Sequence, residues 1–232
     1  MRKSFPEGLL GFLVAAIFLC VAMDFSARQG SPPARQLFNG KDLSGWEQVG
    51  PGSFAVETGM LKTEGGMGLL WYPGEKFGNA VLRVVYKVSR PDDNSGVFIR
   101  IADRPQDPWF AVHNGYEVQI LDQLPPGREE LDETHLTGAI YSLSKPIARA
   151  AKAIGEWNAM EITLQGQRTV VHLNGVKVND FRGDQPVPTR KYRYEPIRGQ
   201  RPDYGYIGLQ NHNKESIVYF KEVSVRPLKD EK

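Results

Sequence analysis

One cysteine occurs in the 232 residues, Cys20. It has no partner for a disulfide, and the body of the chain has no thiol for nucleophilic catalysis, so stability must come from a packed core. No apolar run reaches the roughly 20 residues of a membrane helix; the longest, 9–23, has 15. Sustained helical periodicity is missing, as are a phosphate-cradling glycine loop, a G-x-S-x-G elbow and histidines at i,i+4. Charge of one sign is also lacking. The 29 Lys and Arg against 27 Asp and Glu leave a net charge of +2, and their interleaving makes no field that would gather a phosphate backbone. Nucleic acid is therefore excluded as a partner, and no obligate protein partner is evident. The four histidines are scattered. No metal ligand set is assigned and no cofactor is expected, although a divalent cation stays open as a source of positive charge at a site.

What the chain does have is 24 glycines and 16 prolines punctuating short runs that alternate apolar and polar residues. Such runs cover 53–58, 80–89, 95–102, 115–121, 158–164, 169–173, 176–181, 204–211 and 217–225, a density that predicts an all-β sandwich of antiparallel sheets. Asn174-Gly175 between two alternating runs predicts a two-residue hairpin of type I′. The segment 146–154 (PIARAAKAI) is long enough for one or two helical turns. At the start, Arg2 and Lys3 precede the apolar run, which reads as a signal peptide or N-terminal membrane anchor over 1–27. A linker over 28–36 and one sandwich domain over 37–228 follow, placed outside the cytoplasm as a periplasmic, secreted or membrane-attached protein.

Side chains along a strand alternate faces, so parity sorts the polar groups. Phe98 and Arg100 oppose Val97, Ile99 and Ile101; Glu117 and Gln119 oppose Val118 and Ile120; Gln210 and His212 oppose Ile207 and Leu209. One-sided solvation of a sheet produces the same alternation. If the polar faces belong to one sheet, they line up Arg100, Glu117, Gln119, Gln210 and His212 in a surface suited to sugar hydroxyls. Asn94, Trp71, Tyr141 and His135 complete the expected substrate-contacting set. Trp71 and Trp109 read either as stacking platforms or as core, Trp46 and Trp157 as core, and Asp122 as a turn residue facing away. The loop 189–202 (TRKYRYEPIRGQRP) reads as a lid or a contact surface.

Seven motifs in order carry a family resemblance: LFNGKDLSGW from residue 37, NSGVFIR at 94–100, GYEVQILD at 115–122, TGAIY at 137–141, GEWNAMEI at 155–162, LNGVKVNDF at 173–181 and YIGLQNHN at 206–213. Together they resemble the 3-keto-disaccharide hydrolase domain family, over 37–227. The resemblance implies a concanavalin A-like jelly roll and activity on glycosides already oxidised at carbon 3. A base would remove the acidified C2 proton, the glycosidic oxygen would leave, and water would add back. Glu117 or His212 then serves as base or acid, and Arg100 or a cation as the enolate stabiliser. A non-catalytic carbohydrate-binding module is the alternative on the same fold. Laminarinase-type sandwiches carry Glu-x-Asp-x-x-Glu on one strand; here Gln119 and Asp122 replace the second and third acids, which speaks against the two-carboxylate route.

Overall fold

The computed structural model describes Met1, 32–128 and 130–228. The expected signal peptide or anchor, with Arg2, Lys3 and Cys20, lies outside the described residues. The chain divides into Met1–Gly30 and Ser31–Lys232, and the following concerns the second unit alone. Its strands are β1 (Arg35–Gln36), β2 (Glu47–Val49), β3 (Ser53–Glu57), β4 (Met60–Glu64), β5 (Gly68–Trp71), β6 (Ala80–Val88), β7 (Ser95–Ile101), β8 (Tyr116–Ile120), β9 (Asn158–Gln165), β10 (Arg168–Leu173), β11 (Val176–Arg182), β12 (Tyr206–Asn211) and β13 (Val218–Pro227). One α-helix, α1 (Pro108–Asn114), and a 3-10 turn at Glu133–His135 complete the described elements.

The larger sheet runs β11-β10-β9-β6-β13-β4-β3, with β1 added against β13; the smaller runs β2-β5-β12-β7-β8. Every strand pair is antiparallel. Alternation explains how the sheets stack. From the larger one, Leu82, Val84, Tyr86 and Val88 on β6 and Phe220, Val223 and Val225 on β13 enter the core. Val97, Ile99, Val118, Ile120, Ile207 and Leu209 meet them from the smaller sheet. Each such side chain fully withdrawn from water contributes about 1.5–3 kcal/mol, which a chain without disulfides must rely on.

The predicted hairpin is present. Asn174 and Gly175 both take positive φ, 52° and 84°, as the I′ turn between β10 and β11 requires. Three expectations are corrected. The segment 146–154 forms no helix, because its backbone is claimed elsewhere: Ile147 N donates to Val178 O, Lys152 N to the Asn158 side chain, and Asn174 Nδ2 to Ala150 O. Arg35 and Gln36, assigned to the linker, pair with Val225 and Ser224 of β13. Trp157 is not core; its ring lies on the outer surface under Lys87 and Lys221, 5.1 and 4.4 Å from its centroid.

The helix comes instead from Asp107-Pro108. The Asp107 carboxylate accepts from Phe110 N at 2.9 Å, and proline at the first helical position gives up no hydrogen bond. This helix lies over one end of the small sheet's outer face, where Ala111 and Val112 pack with Leu69, Trp71, Phe98 and Ile101. The remainder of that face is walled by loops.

Candidate functional site

Beside α1, the outer face of β8, β7 and β12 forms the floor of a cavity of about 700 Å³. Glu117 and Gln119 reach it from β8, Gln210 from β12 and His212 from just beyond β12, with Asn94 entering at the head of β7. Parity places the floor residues: each neighbour in sequence, Val118, Ile120 and Leu209, points into the sandwich. The wall comes from His135 and Tyr141, and Tyr141 N donates to Glu117 O at 2.9 Å, which ties that segment alongside β8. The rings of His135 and Tyr141 meet edge to face at 5.1 Å.

Glu117 fits because its diagonal neighbour on β7 has no side chain. Gly96 stands on the adjacent strand opposite Gln119, and a β-carbon there would lie 2.7 Å from Glu117 Cγ and overlap the carboxyl. The glycine of NSGVFIR is thus the space the carboxyl occupies. Gln119 Nε2 donates to Asn94 Oδ1 at 3.2 Å, and Asn94 N to Ser216 Oγ at 2.9 Å, so the floor is braced from the β12–β13 connection.

Five polar atoms around this cavity are buried with no hydrogen-bond partner among the described residues: Glu117 Oε1, Gln119 Oε1, Gln210 Oε1, His135 Nε2 and His212 Nδ1. A buried polar group without a hydrogen bond costs on the order of 1–3 kcal/mol. Five around one cavity make it a place that rewards a ligand rich in hydroxyls.

Burial also inverts the usual ionisation. Glu117 is only 4% exposed, and desolvation alone lifts its pKa from 4.5 to about 8. For His212 the same desolvation, assisted by the positive field of Arg128, lowers the pKa from 6.5 to about 4. At neutral pH the carboxyl is mainly protonated and the imidazole neutral. Tyr141 keeps its proton too, since burial and then the Glu117 charge raise its pKa. Glu117 is the one buried carboxyl among the described cavity-lining residues; Asp92 and Glu215 stand nearer solvent. No group of three or more His, Cys, Asp or Glu among the described residues is arranged to hold a metal ion.

Seven of the nine residues singled out in the sequence meet here: Glu117, Gln119, Gln210, His212, Asn94, Tyr141 and His135. Two do not. Opposite β12 the register slips, with Tyr206 facing Ile101 but Gly208 facing Phe98, so one extra residue sits in β7. Arg100 is at this bulge with φ 54°. Its side chain is fully buried and donates to Pro202 O at 3.0 Å and to Gly166 O, anchoring the 199–205 segment instead of facing the cavity. The same slip turns Ile101 to the outer face beside Phe98, against the parity expectation. Trp71, read as a stacking platform or as core, is core: it is sealed under α1 and edge-on to Tyr206 at 5.0 Å. Asp122 faces away as expected, accepting from Thr137 Oγ1 at 2.6 Å.

Parity did not reveal Arg128, Trp109 and Tyr194, which line the cavity from loops and from α1. The loop 189–202 reaches the cavity through Tyr194 and is fastened down by Arg201, which donates to Gly115 O at 3.0 Å and His113 O at 2.8 Å.

No curated protein matches this sequence. Among solved structures, one described as a candidate glycosyl hydrolase from Parabacteroides distasonis aligns with a TM-score of 0.68 at 25% identity, over 84% of this chain and 100% of that one. A Bacillus subtilis protein with a galectin-like fold aligns at 0.55 and 12% identity, over 85% and 96%. A carbohydrate-binding module from Bacillus subtilis aligns at 0.51 and 12% identity, over 78% and 95%. These last two show the jelly-roll fold alone. Residues 33–226 match the sequence profile of the 3-keto-alpha-glucoside-1,2-lyase-like domain, and the chain belongs to that family.

Proposed function

We propose that this domain cleaves the glycosidic bond of 3-keto-glycosides by elimination and rehydration. The observation that carries the proposal is the placement of Glu117 and His212 on one cavity floor with unpartnered buried atoms, where burial favours a protonated carboxyl and a neutral imidazole. Groups whose environments push their pKa values apart are suited to opposite proton transfers. A ketone at C3 acidifies the C2 proton, and neutral His212 removes it. The resulting enolate draws on the Arg128 charge and the Tyr141 hydroxyl, in place of Arg100, which faces elsewhere. Glu117 then protonates the glycosidic oxygen as the C1–O bond breaks, leaving a C1–C2 double bond conjugated with the ketone. Water adds at C1 with its proton returning to the Glu117 carboxylate, while His212, its proton exchanged with solvent, protonates C2. The products are a free 3-keto sugar and the released alcohol. Ordinary glycoside hydrolysis would need a second carboxyl across the bond, and among the described residues the buried floor offers only Glu117.

Incubating the protein with a 3-keto-disaccharide and following release of the 3-keto monosaccharide tests this. In deuterated water the product should carry deuterium at C2. Release without that label would refute proton abstraction at C2. Binding without release would leave a sugar-binding module. A parallel run with chelator reads any part taken by a divalent cation. The Arg2-Lys3 start and the apolar run behind it support export, so we place the reaction outside the cytoplasm.

A further inference from the structure

The cavity is polar where it is buried and aromatic where it opens. Trp109 lines it with a side chain 45% exposed, unusual for the largest apolar residue. Its indole is not loose. It belongs to α1, whose other face is packed on the sheet, and it stacks on His113 at 5.9 Å and 23°. Tyr194 also lines the cavity, and Tyr192 lies parallel to it at 5.2 Å and 6°. Tyr192 is itself 38% exposed. Each cavity-facing ring is thus backed by a second ring.

The two supports are joined to one another. Arg201 ties the loop to the end of α1 through His113 O. Glu195, beside Tyr194, is buried and accepts from Arg198 Nη2 at 2.8 Å and from Lys191 N at 2.9 Å. Aromatic surfaces held in place bind with little loss of side-chain freedom.

We infer that Trp109 and Tyr194 form a subsite for the leaving group, selective for an alcohol that carries a ring, either a flat aryl ring or a glycosyl ring with an apolar C–H face. This rests on the elimination reading for the word leaving group. The unpartnered polar atoms on the floor take the oxidised sugar, which leaves the rim for whatever is attached at C1. Offset stacking of a ring on the indole, and on the Tyr194 ring, then adds affinity that an alkyl group cannot gain.

Turnover of phenyl and methyl 3-keto-α-glucosides by wild type and by Trp109→Ala reads the subsite. The phenyl-over-methyl preference in KM should fall about tenfold in Trp109→Ala, the equivalent of about 1.4 kcal/mol, with a smaller fall in Tyr194→Ala. A preference that survives both substitutions overturns the subsite, and so does an equal loss on both substrates. Calorimetric titration with phenyl and methyl α-glucosides, which requires no turnover, separates this failure from failure of the reaction. The same loss of preference in a protein that turns nothing over would sink the elimination and support the subsite. A wild type that binds phenyl no more tightly than methyl overturns the subsite whatever the turnover.

Discussion

Replacing Glu117 with glutamine should stabilise this protein, and by an amount that grows with pH. The folded carboxyl has its pKa raised from 4.5 to about 8 by burial. Its contribution to stability is therefore fully present below about pH 4.5 and is lost as pH rises towards 8, because the unfolded chain ionises first. Three and a half units at 1.36 kcal/mol each make about 5 kcal/mol in full. Allowing for the rounded ends of the titration, about 4 kcal/mol should emerge between about pH 5 and about pH 9. His212 carries the opposite sign. Its pKa is lowered to about 4, so its contribution is present above about pH 6.5 and lost as pH falls to 4. That term, like every other titration, cancels when variant and wild type are compared at the same pH. Urea unfolding of Glu117→Gln and wild type across this range gives the difference directly. A difference that changes by less than about 1 kcal/mol would refute the desolvated carboxyl, and with it the assignment of Glu117 as a proton donor at neutral pH. The predicted outcome is a variant that is more stable and much less active, the trade expected where a site is held against its own folding preference.

Three further outcomes follow from the same geometry. The profile of kcat/KM against pH should be bell-shaped, falling below about pH 4 as His212 gains a proton and above about pH 8 as Glu117 loses one; Glu117→Gln should abolish the alkaline limb, and both it and His212→Ala should lower the rate about 10²–10⁴-fold. Gly96→Ala should leave circular dichroism intact but cost at least about tenfold in rate, since its β-carbon occupies the Glu117 carboxyl's place and a small displacement of an acid is expensive; full activity in that variant would show that Glu117 has room to spare. Phe220→Ala, which removes a fully buried ring set among Phe54 and Tyr86, should lose about 3–5 kcal/mol in denaturant unfolding without changing KM.

The sandwich was readable because its signals are local. Alternation over five or more residues needs no knowledge of the partner strand, and Asn174-Gly175 specifies its own turn. Parity likewise put Glu117, Gln119, Gln210 and His212 on one surface, since the period of a strand is a property of its own backbone. That reading failed at Arg100 for an equally definite reason. A bulge exists only between two strands, where the register of β7 against β12 slips by one, and nothing in SGVFIRI marks the extra residue. Between platform and core, Trp71 was settled by another element: α1 arrives from 37 residues further along and covers it.

Sequence by itself therefore determined the fold class, the polar edge of three strands and the family to which the motifs belong. Tertiary structure alone decided which of those polar groups share a cavity, that Arg128, Trp109 and Tyr194 join them, and that burial favours the neutral form of both Glu117 and His212. Ionisation depends on how much water is removed from a group. That is set by Tyr141, Asn94, Arg128 and the β12–β13 connection closing over it from distant parts of the chain, a property no single stretch of residues carries.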